Sequence, residues 1–131
     1  MKAKIIITFF ILTFTTICVS DDSRFILKVE NNLNILTEKQ TGEFIVLKTF
    51  NQKAAQILRI EKTKHFELIY FDAGEAGTSK MIGHEKVAIF DIKKRKFLDD
   101  TYIVKLTGLD KKMQPTFKIE DDKIIYHYPL D

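Results

Sequence analysis

Apolar residues in this chain come in short runs, each closed by a polar turn, and that spacing limits the fold more than any other feature. Runs of this length with alternating character read as β-strands, and turns rich in Asn, Asp, Gly and Lys read as hairpin connections. Phe25 to Val29 alternates with Arg24, Lys28 and Glu30. Asn31-Asn32 follows as a turn, because asparagine tolerates left-handed backbone. Leu33 to Thr37 is a second run. Thr41-Gly42 then precedes Glu43 to Phe50, with Phe44, Val46 and Lys48 on one face and Ile45, Leu47 and Thr49 on the other.

His65 to Phe71 is the strongest strand and needs a close partner. The segment before it, Asn51 to Lys62, has two readings. Asn51 could cap a helix with Ala54, Ile57, Leu58 and Glu61 at helical spacing. Alternatively Ala55 to Glu61 returns through Lys62-Thr63-Lys64 as a hairpin partner, which is the preferred reading. Three of the five glycines lie between positions 74 and 83, so Asp72 to Glu85 is expected to be a glycine-rich loop. Lys86 to Ile92 is the next strand. Lys93-Lys94-Arg95-Lys96 forms a charged turn into Phe97-Leu98. Thr101 to Leu106 is a strand, and a polar connection runs to Pro115. Phe117 to Glu120 and Lys123 to Tyr128 close the chain as a hairpin around Asp121-Asp122, which lacks the usual turn glycine.

These runs predict an all-β domain, a small antiparallel β-sandwich or barrel of about 8–10 short strands. Leu68 to Phe71 and Val87 to Phe90 are apolar on both faces. Such strands are central and covered twice, or they meet a partner; a homodimer or a binding surface is one such cover.

The first twenty residues differ in kind. Lys2 and Lys4 precede an uncharged, apolar or hydroxylic run from Ile5 to Val19, and Cys18-Val19-Ser20 offers small residues before a cut. This is the pattern of a secretory signal peptide, because the run falls short of the roughly 20 residues a membrane span requires. Residues 1–20 are therefore read as a signal and residues 21–131 as one domain, with no span after cleavage. Of 21 basic and 18 acidic side chains, removal of the signal takes two lysines and no acid, leaving 19 and 18 and a net charge of +1. So balanced a chain lacks the concentrated positive field that nucleic acid requires. The one cysteine is removed with the signal. A cysteine-free exported domain fits a bacterial periplasm or exterior better than a disulfide-dependent secreted fold.

No reaction is spelled out by the motifs. Gly74 and Gly77 are two residues apart and Lys80 follows rather than precedes the hydroxyls, so the phosphate-loop pattern fails. The domain's serines, Ser23 and Ser79, lie outside any Gly-x-Ser-x-Gly frame. His65, His84 and His127 are scattered, and His84-Glu85 on a strand point to opposite faces, so no metal site is expected. Adjacent acids at Asp99-Asp100 and Asp121-Asp122 are turn chemistry. Neither cofactor nor catalytic residue is assigned, and the chain is read as a non-enzyme.

What remains is recognition. The expected contact surface gathers Asp72, Glu75, Thr78, Ser79, His84 and Glu85 on the glycine-rich segment. Secondary surfaces are Lys93, Lys94, Arg95 and Lys96, and the pair Tyr126 and Tyr128. The expected function is an exported bacterial protein, periplasmic or secreted, that blocks a protein partner. An inhibitor or immunity protein against a cell-wall-degrading enzyme or toxin would fit. Carbohydrate- or lipid-binding envelope modules, and structural envelope subunits, are the alternatives.

Overall fold

A computed structural model describes residues 24–51, 54–77 and 80–129. The expected signal, and Thr78 and Ser79 of the expected contact surface, lie outside the described residues. The described chain forms ten strands: β1 (Phe25–Glu30), β2 (Leu33–Glu38), β3 (Phe44–Leu47), β4 (Gln56–Lys62), β5 (Phe66–Ala76), β6 (Ile82–Asp91), β7 (Lys96–Phe97), β8 (Tyr102–Thr107), β9 (Thr116–Glu120) and β10 (Lys123–His127). A single 3₁₀ turn spans Lys111–Met113. No helix among the described residues is long and apolar enough to cross a membrane. The all-β expectation holds, as an antiparallel sandwich of three layers.

Strands β1-β2-β3 form one sheet, β4-β5-β6-β7 a second, and β9-β10 a third; β8 joins β6 along the edge it shares with β7. All pairings are antiparallel. The tight hairpins follow from turn residues that accept left-handed backbone. Asn31 and Asn32 sit at φ 52° and 64°, and Asp121 and Asp122 at 49° and 64°. Positive φ at both central residues is what a two-residue turn matched to strand twist requires. Aspartate supplies it here without a glycine.

Strands β5 and β6 are buried on both faces by the chain itself, whereas β4 at the sheet edge stays largely exposed. On one face, Ile69, Phe71, Ala73, Ala88 and Phe90 pack against Phe25, Leu36 and Leu47 of the β1-β2-β3 sheet. Phe25, Phe90 and Phe97 join these layers, with ring centroids 5.1–5.9 Å apart. On the other face, Phe66, Leu68, Tyr70, Val87 and Ile89 meet Tyr102 and Val104 of β8 and Phe117, Ile119 and Ile124 of the β9-β10 hairpin. The outer face of β1-β2-β3 leaves Ile26, Leu33, Phe44 and Val46 exposed.

Arg24 clasps two layers together. Its guanidinium donates to Glu38 at 2.8 Å and also to Glu67 of β5. Glu38 is almost fully buried and further accepts the Thr41 N–H and hydroxyl, each at 2.7 Å. Burial alone would raise its carboxyl. The hydrogen bonds from Arg24 and Thr41 outweigh this and hold it down at about 2.

Asn51 to Lys62 contains β4, which confirms the hairpin reading over the helical one. Gln56 pairs Asp72 and Lys62 pairs Glu67, with a bulge between Ile57 and Arg59. The extra residue at the bulge puts Ile57 opposite Phe71 and Ile60 opposite Ile69, on one sheet face although three apart in sequence. That spacing imitates a helix.

The expected glycine-rich loop is mostly strand. β5 runs to Ala76 and β6 starts at Ile82. A register shift between Asp72 and Glu75 marks a bulge, where Gly74 takes φ 94°. The carboxylate of Asp72 accepts the Gly74 N–H at 2.9 Å, and Ala73 carbonyl accepts the Phe50 N–H at 2.7 Å. Gly74 therefore serves a kink in a strand, and the true connection is confined to residues 77–81. At its start Gly77 has φ 153°, and a Cβ there would lie 1.9 Å from the Lys80 carbonyl oxygen.

Candidate functional site

The far end of the β5-β6 hairpin presents two chemically opposite faces. Strand alternation puts Glu85 on one side and its neighbours His84 and Lys86 on the other. Register brings Asp72 opposite Glu85 and Glu75 opposite Gly83, so three acids share the side away from the β1-β2-β3 sheet. With Leu58, Gly83 and Thr107, and with His84 at its wall, they line a groove of about 240 Å³.

The three acids are not equivalent. Glu85 is held by Arg59 at 2.8 Å, and Arg59 also reaches Glu61 at 3.2 Å and covers the Tyr70 ring at 3.8 Å. Tyr70 is buried, and its hydroxyl donates to Glu61 at 3.3 Å. Burial and the Glu61 charge push that phenol above its ordinary value. Asp72 is turned to the bulge backbone. Glu75 is exposed, and its backbone carbonyl is anchored by the Asn51 amide at 2.5 Å. It is the carboxylate best placed to meet a partner. Glu85 also borders a wider depression of about 700 Å³ edged by Arg59, Lys105, Lys111 and Gln114. At the hairpin tip Met81 is 48% exposed, a large apolar side chain offered to solvent.

On the opposite side, the His84 ring stacks on Phe50 at 4.3 Å. Its Nδ1–H donates to the Ile82 carbonyl at 2.8 Å, since a carbonyl can only accept. Lys86 is buried with its ammonium 5.7 Å from the same Phe50 ring. Burial, and then the charge of Lys48, push Lys86 below its ordinary value. Thus His84 belongs with Phe50 and Lys86 more than with Asp72 and Glu75.

The secondary surfaces lie elsewhere. Lys93 to Lys96 turn at the other end of the central hairpin, held by Asp91, whose carboxylate accepts the Lys94 N–H at 2.9 Å and whose carbonyl accepts the Arg95 N–H at 2.8 Å. Lys94 and Lys96 border a groove of about 410 Å³ with Glu43, Phe44 and Phe97. Tyr126 faces inward. Its hydroxyl donates to the Ile103 carbonyl at 2.7 Å, and its ring meets Tyr102 at 4.9 Å. It fastens the β9-β10 hairpin to the central layer. Tyr128 follows the end of β10 and is half-buried.

Among the described residues no three His, Cys, Asp or Glu side chains converge as a metal site. His65 instead meets Asp122 at 3.1 Å, joining two turns. Sequence reasoning missed the Arg59–Tyr70–Glu85 network and the Lys48–Phe50–Lys86 cluster. The second left a trace: Lys86 has the parity of Ala88 and Phe90, so it was destined for a core face.

Fold and site together define a small three-layer antiparallel β protein whose most buried hairpin carries its polar groups at one end. Neither a protein-family model, nor a curated protein, nor a solved structure matches the chain.

Proposed function

We propose that the chain is an exported bacterial binding protein, periplasmic or secreted, that blocks a protein partner. Inhibitors and immunity proteins against cell-wall-degrading enzymes or toxins are the kind of molecule meant. The observation that carries this reading is the β5-β6 hairpin. Its base is the most buried part of the domain, while its far end offers the acidic groove with exposed Glu75 and, just before β6 begins, the exposed side chain of Met81. A rigid element with an apolar anchor and adjoining charge suits insertion into a cleft whose rim is basic. Export is supported by the basic, then apolar, then small-residue pattern of residues 1–20.

The test is the double variant Glu75→Lys/Met81→Asp, which leaves the core untouched. Residues 21–131, immobilised, are used to capture partners from envelope and culture fractions, and the captured protein is titrated with both forms. The double variant is expected to bind at least about tenfold more weakly and to lose any inhibition of the partner's activity. Equal affinity and equal inhibition by the two forms would refute the reading. Replacing the whole of Asp72 to Glu85 would be uninformative, because Ala73 is completely buried.

A further inference from the structure

Lys86 is 9% exposed, and among the described residues neither a hydrogen bond nor an ion pair reaches its ammonium. The ammonium lies 5.7 Å from the centre of the Phe50 ring. A buried ammonium without a counter-charge is costly, and proteins ordinarily pair it. Here the charge that acts on it makes matters worse, since Lys48 is also positive. Lys48 is exposed, while Phe50 and His84 are half-buried, so the cluster is covered by Phe50 and open on the Lys48 side. No ion pair among the described residues neutralises Lys48 either. Lys86 lies on the side of β6 opposite Glu85, and His84 stands between this cluster and the acidic groove whose wall it also forms. The cluster goes beyond the protein contact proposed above and does not depend on it.

We propose that Lys48, Phe50, His84 and Lys86 form a binding site for a small oxyanion of the phosphate class. Two ammonium groups without carboxylate partners match a ligand bearing two negative charges and several acceptor oxygens; a single carboxylate would neutralise only one of them. The Phe50 ring and the stacked His84 ring wall the site and lower its polarity, which strengthens each charge contact. Occupancy would supply the counter-charge that the fold leaves out at Lys86.

The experiment uses inorganic phosphate and pyrophosphate as probes on residues 21–131, with chloride at matched ionic strength as control. Backbone amide spectra are recorded during titration. Saturable shifts are expected at Lys48, Phe50, His84 and Lys86, with a Kd of about 1 mM or below. Lys86→Met, an apolar side chain of similar length, should weaken binding at least tenfold while the fold is retained. Should that variant fail to fold, Lys48→Met makes the same comparison, with a loss of about fivefold or more. Shifts that do not saturate, that lie elsewhere, or that persist undiminished in the lysine variant would overturn the proposal.

Discussion

Replacing Glu38 by Gln tests whether the β1-β2-β3 layer is clasped to the central sheet by charge. The amide keeps the shape and can still accept from Thr41. It loses the charge-assisted bond to Arg24, which in turn holds Glu67 across the layers. In the folded chain the Glu38 carboxyl is held at about 2, against an ordinary 4.5. The unfolded chain therefore takes up that proton first as pH falls. The clasp's contribution is nearly complete above about pH 4.5, shrinks as pH falls, and vanishes only below about pH 2, once the folded carboxyl is protonated as well. Its size follows from the displacement, about 3 kcal/mol by linkage. Side-chain exposure of 1% at Glu38 justifies using most of that value, while 30% at Arg24 argues for the lower end, about 2–3 kcal/mol. Urea unfolding of wild type and Glu38→Gln at a series of pH values gives the answer. The stability difference is expected to be about 2–3 kcal/mol at pH 7 and close to zero below about pH 2. Since both proteins carry the same other acids, those cancel to first order. A difference that stays constant over this range would show that the clasp is held by shape and not by charge, and would refute the argument.

Lys86→Met should stabilise the domain by about 1 kcal/mol at pH 7 in phosphate-free buffer, because it removes a buried, unpaired charge. The folded chain releases the Lys86 proton more readily than the unfolded one, so wild type gains as pH rises and the difference shrinks towards pH 10.5. Denaturant curves at both ends of that range check the sign. Asn32→Gly, at φ 64° in the β1-β2 turn, should raise stability by about 0.5–1 kcal/mol, read from thermal or urea unfolding. Gln114 accepts the Leu106 N–H at 2.7 Å and donates to the Leu106 carbonyl at 2.6 Å, so its amide stands in for a strand on the β8 edge. Gln114→Ala should cost about 1–2 kcal/mol and speed hydrogen exchange at Leu106; unchanged exchange there would rule out the role.

The fold was legible wherever local chemistry and strand period agreed. Asn31-Asn32, Asp121-Asp122 and the doubly apolar runs of β5 and β6 each led to the observed hairpins and to a central sheet covered on both faces. What local pattern could not say was which residues provide the covers. A run such as Leu68 to Phe71 is equally satisfied by a second copy of the chain or by its own distant segments. Here Phe25, Leu36 and Leu47 supply one cover and Phe117, Ile119 and Ile124 the other. These contacts join residues far apart in sequence and leave no local period. Bulges hid the rest. At Leu58 an added residue turned a strand's period of two into a spacing of three, and at Gly74 it made a kinked strand look like a loop.

The site was less legible for a related reason: a sequence lists neighbours, whereas a sheet separates them and recruits others. Asp72, Glu75 and Glu85 do converge, because register places them across one hairpin on one face. His84, adjacent to Glu85 in sequence, is carried to the other face and stacks on Phe50, thirty-four positions away. Glu85, expected on the contact surface, is neutralised by Arg59, which β4 brings alongside. Near the hairpin end Asp72, Glu75 and Glu85 therefore share one face, and Lys86 lies on the other, toward the β1-β2-β3 side. That sorting makes the two proposals separable by experiment. Reversing Glu75 should leave phosphate binding intact, and removing Lys86 should leave the protein contact intact. If either substitution abolished both activities, the faces would have to be one site, and the geometry that divides them would have to be wrong.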